Sequence, residues 1–297
     1  MNDEPSAPRD EGRRRLIAIL LMCGGVFCFA CLDASAKWAN RFVDPLVTTW
    51  FRYTANVALV AIVLNGWTRP RLLHSNRFRL QILRSVMLFT TTVMNFFALN
   101  YIPLTTNLSI QFAMPLLVVV LSGPILGEWA GRRRLAAVCV GFLGILVITR
   151  PWSASLHPAA LLTVLNTVFY ALYAIITRML AAHDRPATTI TYSGLAGMIF
   201  LMPVVPFVWT TPPTWQVWAV LLGTGFFGAL GHGFLTLAHS RAPAPALSPF
   251  VYTQIVWAVA LGYAVFGDVP DGWTLAGASI VIGSGLYIIL WERSRRR

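Results

Sequence analysis

Charge is scarce in this chain. Of its 297 residues only 11% are Asp, Glu, Lys or Arg, while 57% are hydrophobic. A soluble domain of this size carries far more charge on its surface, and the polar stretches here are too short to bury a core of their own. Carboxylates are scarcer still, and Asp33 is the one acid expected inside an apolar run. A lipid-acting enzyme needs paired carboxylates, or a nucleophile with its base, at one membrane depth; no such set is offered. A proton pump usually holds acids within the membrane, so the same scarcity argues for weak coupling or none. Cysteine is limited to Cys23, Cys28, Cys31 and Cys139, all in apolar runs, and these read as small buried side chains rather than redox or metal ligands. His183, His232 and His239 have no carboxylate at ligand spacing, so neither metal nor cofactor is expected. The net charge of +12 comes from arginines between the apolar runs. It leaves no basic face for a duplex, and no nucleic-acid partner is expected.

What is present is apolar sequence in membrane-sized lengths. A helix rising about 1.5 Å per residue needs about 20 apolar residues to cross a core of roughly 30 Å. The runs predict ten spans: 16–38, 46–66, 80–100, 104–126, 134–150, 159–180, 188–209, 216–239, 244–266 and 273–291. The polar residues 1–15 read as a disordered tail and 292–297 as a basic one. With both termini cytoplasmic, nearly all arginines fall inside, Arg84 among them. Lys37, Arg41 and Arg150 fall outside, and Arg52 lies within the second span. That bias sets the orientation. Most tryptophans sit near span ends, as the headgroup belt favours; Trp257 lies well inside a span. The expectation is an all-α, multi-pass protein of the cell inner membrane, monomeric, with the bilayer as its partner.

The chain also repeats itself at an offset of 140 residues: Ala98 meets Ala238, Pro103 meets Pro243, Phe112 meets Tyr252, and Gly127–Glu128 meets Gly267–Asp268. Two halves follow, 16–150 and 151–291, each of five spans. Five is odd, so the second half enters the membrane in the opposite sense, and inverted repeats of this kind carry a site at their interface. The pieces "ASAKWA", "PLVTTWFRY", "LNYIPLTTNLSIQFAMPLLVVVLSGPILGEWAGRRRLAAVCVGFLGILVI" and its weaker echo "LAHSRAPAPALSPFVYTQIVWAVALGYAVFGDVPDGWTLAGASIVIGSGLYII" resemble the EamA-type ten-span exporters of the drug/metabolite transporter superfamily, from about residue 16 to 291. The resemblance implies a secondary transporter, with the aromatic amino-acid exporters as the branch of choice.

Polar groups inside the spans mark where such a site would lie. An unsatisfied amide facing lipid costs several kcal/mol, so polar stripes must face a neighbouring helix or a wet cavity. Thr91 and Asn95 are four apart in the third span. Asn107, Gln111 and Met114 or Pro115 share one face of the fourth, where Pro115 can kink the helix. Asn166, Tyr170, Tyr173 and Thr177 form a full-length stripe on the sixth. His232, Thr236 and His239 share a face of the eighth, and the ninth carries Ser248, Tyr252, Gln254 and Trp257. Interhelical hydrogen bonds, worth roughly 0.6–2 kcal/mol each, account for many such residues. The bulk of the Asn166–Tyr170–Tyr173 stripe points instead to a cavity wall. The expected substrate-binding set is Thr91, Asn95, Gln111, Asn166, Tyr170, Tyr173, His232, Tyr252 and Trp257, for a neutral or aromatic amino acid. A drug or other metabolite exporter and a passive channel stand as alternatives; a sugar-phosphate carrier should show Lys or Arg in its cavity, and none stands out. Asp33 and Lys37, four apart, are expected to pair. "GTGFFG" at 223–228 lacks the strand a dinucleotide motif requires and reads as close helix packing.

Overall fold

In the computed structural model the described residues are 8–63, 74–127, 129, 131–150, 152, 157–181, 183–184, 186–242, 247 and 250–295, and among them the chain is helical throughout, with no strand. The first half comprises α1 (Pro8–Ala39), α2 (Pro45–Val63), α3 (Phe78–Leu99), α4 (Leu104–Gln111), α5 (Met114–Leu126) and α6 (Arg132–Thr149). The second comprises α7 (Pro158–Ala181), α8 (Pro186–Leu201), a one-turn α9 (Val205–Val208), α10 (Trp215–His239), α11 (Gln254–Leu261) with a π-helical turn Gly262–Phe266, and α12 (Gly272–Arg295). Ser248, Glu128, residues 1–7 and residues 296–297 lie outside the described residues. The first helix begins at Pro8; proline suits a first helical position and the arginines that follow are good helix formers.

Several helix starts follow from local chemistry. Asp44 accepts a hydrogen bond from the Leu46 amide at 2.8 Å, one residue before Pro45 opens α2. Asp271 does the same for the Thr274 amide at 2.8 Å ahead of α12. Both are side-chain caps for amides that have no partner within the helix.

Among the described residues, five helical stretches are long and apolar enough to cross a membrane: Gly12–Ala39, Phe78–Leu99, Leu104–Leu126, Pro158–Leu180 and Trp215–His239; four shorter apolar helices accompany them. Large apolar side chains such as Leu20, Ile62, Leu143 and Phe207 stand exposed on the outside of the bundle. Lipid removes the cost of that exposure.

The 140-residue offset reappears in the backbone. The helical path breaks at Phe112–Ala113 between α4 and α5, and again at Tyr252–Thr253 ahead of α11. Gly127 and Gly267 both adopt the left-handed region, φ 73° and 71°, and end their helices there. Packing follows the same relation. Helix α1 packs on α10 as α3 packs on α7, and the counterparts α2 and α8, and α6 and α12, pack on each other. Phe112 meets its own counterpart Tyr252, ring centroids 5.1 Å apart.

The glycine run of α10 is a packing device. A Cβ on Gly225 would lie 2.3 Å from the Ala55 Cβ, one on Gly231 would lie 2.9 Å from the Phe29 ring, and one on Gly25 would meet Leu235 at 2.3 Å. Helices α1 and α2 therefore approach α10 more closely than any side chain would allow.

Candidate functional site

A cavity of about 390 Å³ lies between the two halves. Of the nine expected site residues, Thr91, Asn95, Gln111, Asn166, Tyr170, Tyr173, His232 and Tyr252 line it, together with Met114, Pro115 and Gln254. Trp257 does not. It lies on α11, is 38% exposed, and packs edge-on against Phe27 with centroids 4.8 Å apart. Of the other stripe members, His239 is exposed at the end of α10, where its ring contacts the Leu235 carbonyl, and Thr177 accepts a hydrogen bond from Arg84.

The amides converge on one acid. Thr163 Oγ1 donates to Asn107 Oδ1 (2.9 Å), Asn107 Nδ2 to Asn95 Oδ1 (2.7 Å), Gln111 Nε2 to the same oxygen (2.9 Å), and Asn95 Nδ2 to Asp33 Oδ1 (2.9 Å). Asp33 thus faces the cavity from α1 and is not paired with Lys37. The expected i, i+4 pair is absent because Lys37 has better partners elsewhere. Its ammonium lies 2.8 Å from Asp268 Oδ2, donates to the Ile102 carbonyl at 3.1 Å, and sits 4.9 Å from the centre of the Phe266 ring.

Two arginines correct the expectation of an uncharged cavity. Arg52 lines it from α2. Its Nη1 donates to Thr92 Oγ1 at 2.6 Å, its guanidinium lies 5.0 Å from the Tyr53 ring centre and 5.9 Å from that of Phe96, and its Nε is buried without a partner. Arg84 is not at the cytoplasmic surface. It is buried, donates from Nε to Thr177 (2.8 Å), from Nη2 to the Tyr173 hydroxyl (2.6 Å) and from Nη1 to Ser193, and stacks over the Tyr173 ring at 4.6 Å. A small annex to the main cavity, touching both Arg52 and Arg84, joins them. Arg84 lies only seven residues from Arg77, and charge counting places both at the surface. The signal that separates them is the run of hydroxyl and phenol partners on α7 and α8.

Rings complete the lining. Tyr170 and Tyr173 stack with centroids 5.7 Å apart and planes 15° from parallel, and Phe29 meets His232 edge-on at 5.0 Å. The Asn166 Oδ1 and Tyr252 hydroxyl are buried without a hydrogen-bond partner. Such orphaned polar atoms in a cavity wall are where a polar ligand gains most. Among the described residues no cluster of three His, Cys, Asp or Glu could hold a metal ion.

Each end of the bundle is tied by a carboxylate. At one, Lys37 and Asp268 link α1 to the loop before α12. At the other, Asp184 between α7 and α8 accepts from Ser75 Oγ, the Asn76 amide (2.8 Å) and Gln81 Nε2 (2.9 Å). Burial pushes the Asp184 carboxyl up, but these hydrogen bonds outweigh it and hold it below the ordinary carboxylate value.

A helical bundle of two equivalent halves around a ring-lined polar cavity is the architecture of a membrane carrier. The family model of EamA-like transporters matches residues 16–150 and again 157–291. The chain belongs to that family, and so to the transporters of small metabolites in the drug/metabolite superfamily. It is similar to a riboflavin transporter of Vibrio cholerae, 28% identical over 94% of this chain and 95% of the relative. It also resembles an S-adenosylmethionine uptake transporter of Rickettsia conorii, 29% identical over 88% of each, and a pseudopaline exporter of Pseudomonas aeruginosa, 26% identical over 89% of this chain and 93% of the relative. A crystal structure shares the fold, with a TM-score of 0.66 at 19% identity over 94% of this chain and 99% of that one. These relatives are named for three different cargoes, and none of those is an aromatic amino acid.

Proposed function

We propose that the chain is a secondary carrier of the bacterial inner membrane. It exports small ring-bearing metabolites, aromatic amino acids among them, by alternating access around the central cavity, and it spans the bilayer ten times with both termini cytoplasmic. One observation carries the reading: polar and aromatic side chains from both halves converge on a single cavity of about 390 Å³, within the usual range for small-molecule sites. The stacked Tyr170–Tyr173 pair offers a flat wall to a ring, and the amides around Asn95 offer hydrogen bonds to its polar end. No catalytic step is assigned to the chain. Transport follows the cargo's own gradient.

A second reading has its own support. The cavity also suits a larger fused heteroaromatic ring, and relatives over most of the chain's length are named riboflavin transporters. Flux of labelled phenylalanine and of riboflavin from proteoliposomes, with and without an imposed pH gradient, decides between them. Phenylalanine efflux that is insensitive to the pH gradient supports the first reading. Riboflavin flux alone selects the second. Uphill movement driven by the pH gradient rejects the uncoupled scheme.

A further inference from the structure

We infer that Asp33 and Arg52 together form a two-ended receptor for an α-ammonium carboxylate, the carboxylate of the cargo taken by Arg52 and its ammonium by Asp33. The inference rests on the reading that the central cavity is the cargo site, and it names the head group that site selects.

Both charged residues line the cavity. Among the described residues neither is held in an ion pair; the ion pairs there are Lys37–Asp268 and Arg150–Asp271. Asp33 accepts from Asn95 alone, and Arg52 donates to Thr92 while its Nε has no partner. A charge withdrawn from water without a counter-ion costs several kcal/mol, and two such charges of opposite sign kept apart in one cavity ask for a ligand that joins them.

Their spacing is set by α3. Arg52 is tied to Thr92 and Asp33 to Asn95. Thr92 and Asn95 are three residues apart on that helix, so their Cβ atoms lie roughly 5–6 Å apart on one face. The charges are thus anchored one helical turn from each other, a separation that an ammonium and a carboxylate on one carbon can bridge with a hydrogen bond of about 2.8 Å at each end. Gly228 keeps that space open. A Cβ there would lie 3.8 Å from Arg52 Nε, and a longer side chain would occupy the side from which a carboxylate approaches. The amide chain through Asn95, Asn107 and Thr163 holds one oxygen of Asp33 and leaves the other for the ligand.

Ligand binding to the full chain in lipid nanodiscs tests the proposal with four probes: phenylalanine, phenylpropionate (which lacks the ammonium), phenethylamine (which lacks the carboxylate) and riboflavin. The native protein is expected to bind phenylalanine at least tenfold more tightly than either fragment, about 1.4 kcal/mol. Asp33→Asn should abolish the preference over phenylpropionate and keep that over phenethylamine; Arg52→Gln should do the reverse. Asp33→Glu and Arg52→Lys, which keep the charges, should retain both preferences and show that the folded site is being read. Fragments that bind the native protein as well as phenylalanine does, or neutral variants that weaken all probes alike, overturn the proposal. Tyr170→Leu separates the two levels. If it weakens ring-bearing probes while the charge variants discriminate nothing, only the head-group assignment fails; if it changes no probe, the cavity reading itself falls.

Discussion

Tyr170 and Tyr173 stack on each other but carry different loads. The Tyr173 hydroxyl accepts from buried Arg84, whose charge depends on a handful of neutral acceptors. Tyr173→Phe leaves one of those donors without its acceptor, so we expect a stability loss of about 1–3 kcal/mol by thermal unfolding in detergent, with every cargo affected alike. Tyr170 offers its ring. Tyr170→Leu keeps apolar bulk and removes the stacking face, worth roughly 0.5–1.5 kcal/mol. Apparent affinity for ring-bearing cargo should fall up to about tenfold and that for threonine much less. Equal losses for phenylalanine and threonine would contradict the assignment.

Asp184 makes a pH prediction. Its folded carboxyl is held below the value of about 3.9 that it takes in the unfolded chain. A depressed carboxylate contributes stability that is complete above the unfolded value and is lost as pH falls through the folded one. Asp184 is only partly buried and its charge is screened by nearby solvent, so its contribution is about 1 kcal/mol. Native protein should be more stable than Asp184→Asn by that margin from pH 6 to 8, and the gap should close below about pH 4. A gap that is constant into acid would show that the hydrogen bonds from Ser75, Asn76 and Gln81 do not depend on the charge.

Helix pairs add their own test. At the crossing of α6 and α12, a Cβ on Gly144 would lie 2.8 Å from the Gly277 carbonyl, and one on Gly277 would lie 2.6 Å from the Gly144 carbonyl. Backbone cannot step aside as a side chain can, so Gly277→Ala should cost about 1–3 kcal/mol. Gly283, on the same helix, has nothing within 4 Å of its Cβ position, and Gly283→Ala should be neutral or mildly stabilising. Similar melting shifts for the two would show that the crossing is looser than drawn.

At this scale much of the molecule was legible. Apolar length gave the long helices, and polar residues spaced three and four apart identified the stripes on α3, α4 and α7. Trp257 was misplaced because an indole inside a span reads as cavity wall, whereas this ring packs against Phe27 of α1; the break at Tyr252–Thr253 was missed because no proline at the counterpart of Pro115, Ile255, announces it. The Asp33–Lys37 pairing failed because partners far along the chain outcompeted a neighbour one turn away. Arg52 and Arg84 were passed over because charge counting assigns an arginine to a side of the membrane and is blind to hydroxyls and rings on other helices.

Taken whole, the molecule holds its cavity between two ties at opposite ends, Lys37–Asp268 and the Asp184 cluster. Alternating access requires each to yield in turn. The Lys37–Asp268 pair is partly exposed, with side chains 13% and 28% accessible, and is worth about 1 kcal/mol. Asp268→Asn should therefore move the balance of states about fivefold toward opening at that end, read as faster labelling of a cysteine placed at Thr105, which is buried close to Asp268. The double exchange Lys37→Asp with Asp268→Lys should return the rate toward native. A rate unchanged by Asp268→Asn would remove the pair from the gate.

The central claim is that cargo passes through the cavity between the halves, and Thr91 is the position from which to test it. Its side chain lines the cavity, and its hydroxyl bonds only to the Leu88 carbonyl of its own helix, so Thr91→Cys is a mild change. In a background cleared of the four native cysteines, proteoliposomes bearing Thr91→Cys would be treated with a small methanethiosulfonate reagent while efflux of labelled phenylalanine and riboflavin is followed. Modification should stop the flux, and saturating transported cargo should slow modification at least several-fold. Flux that continues after complete modification, or modification that cargo does not slow, would contradict that claim.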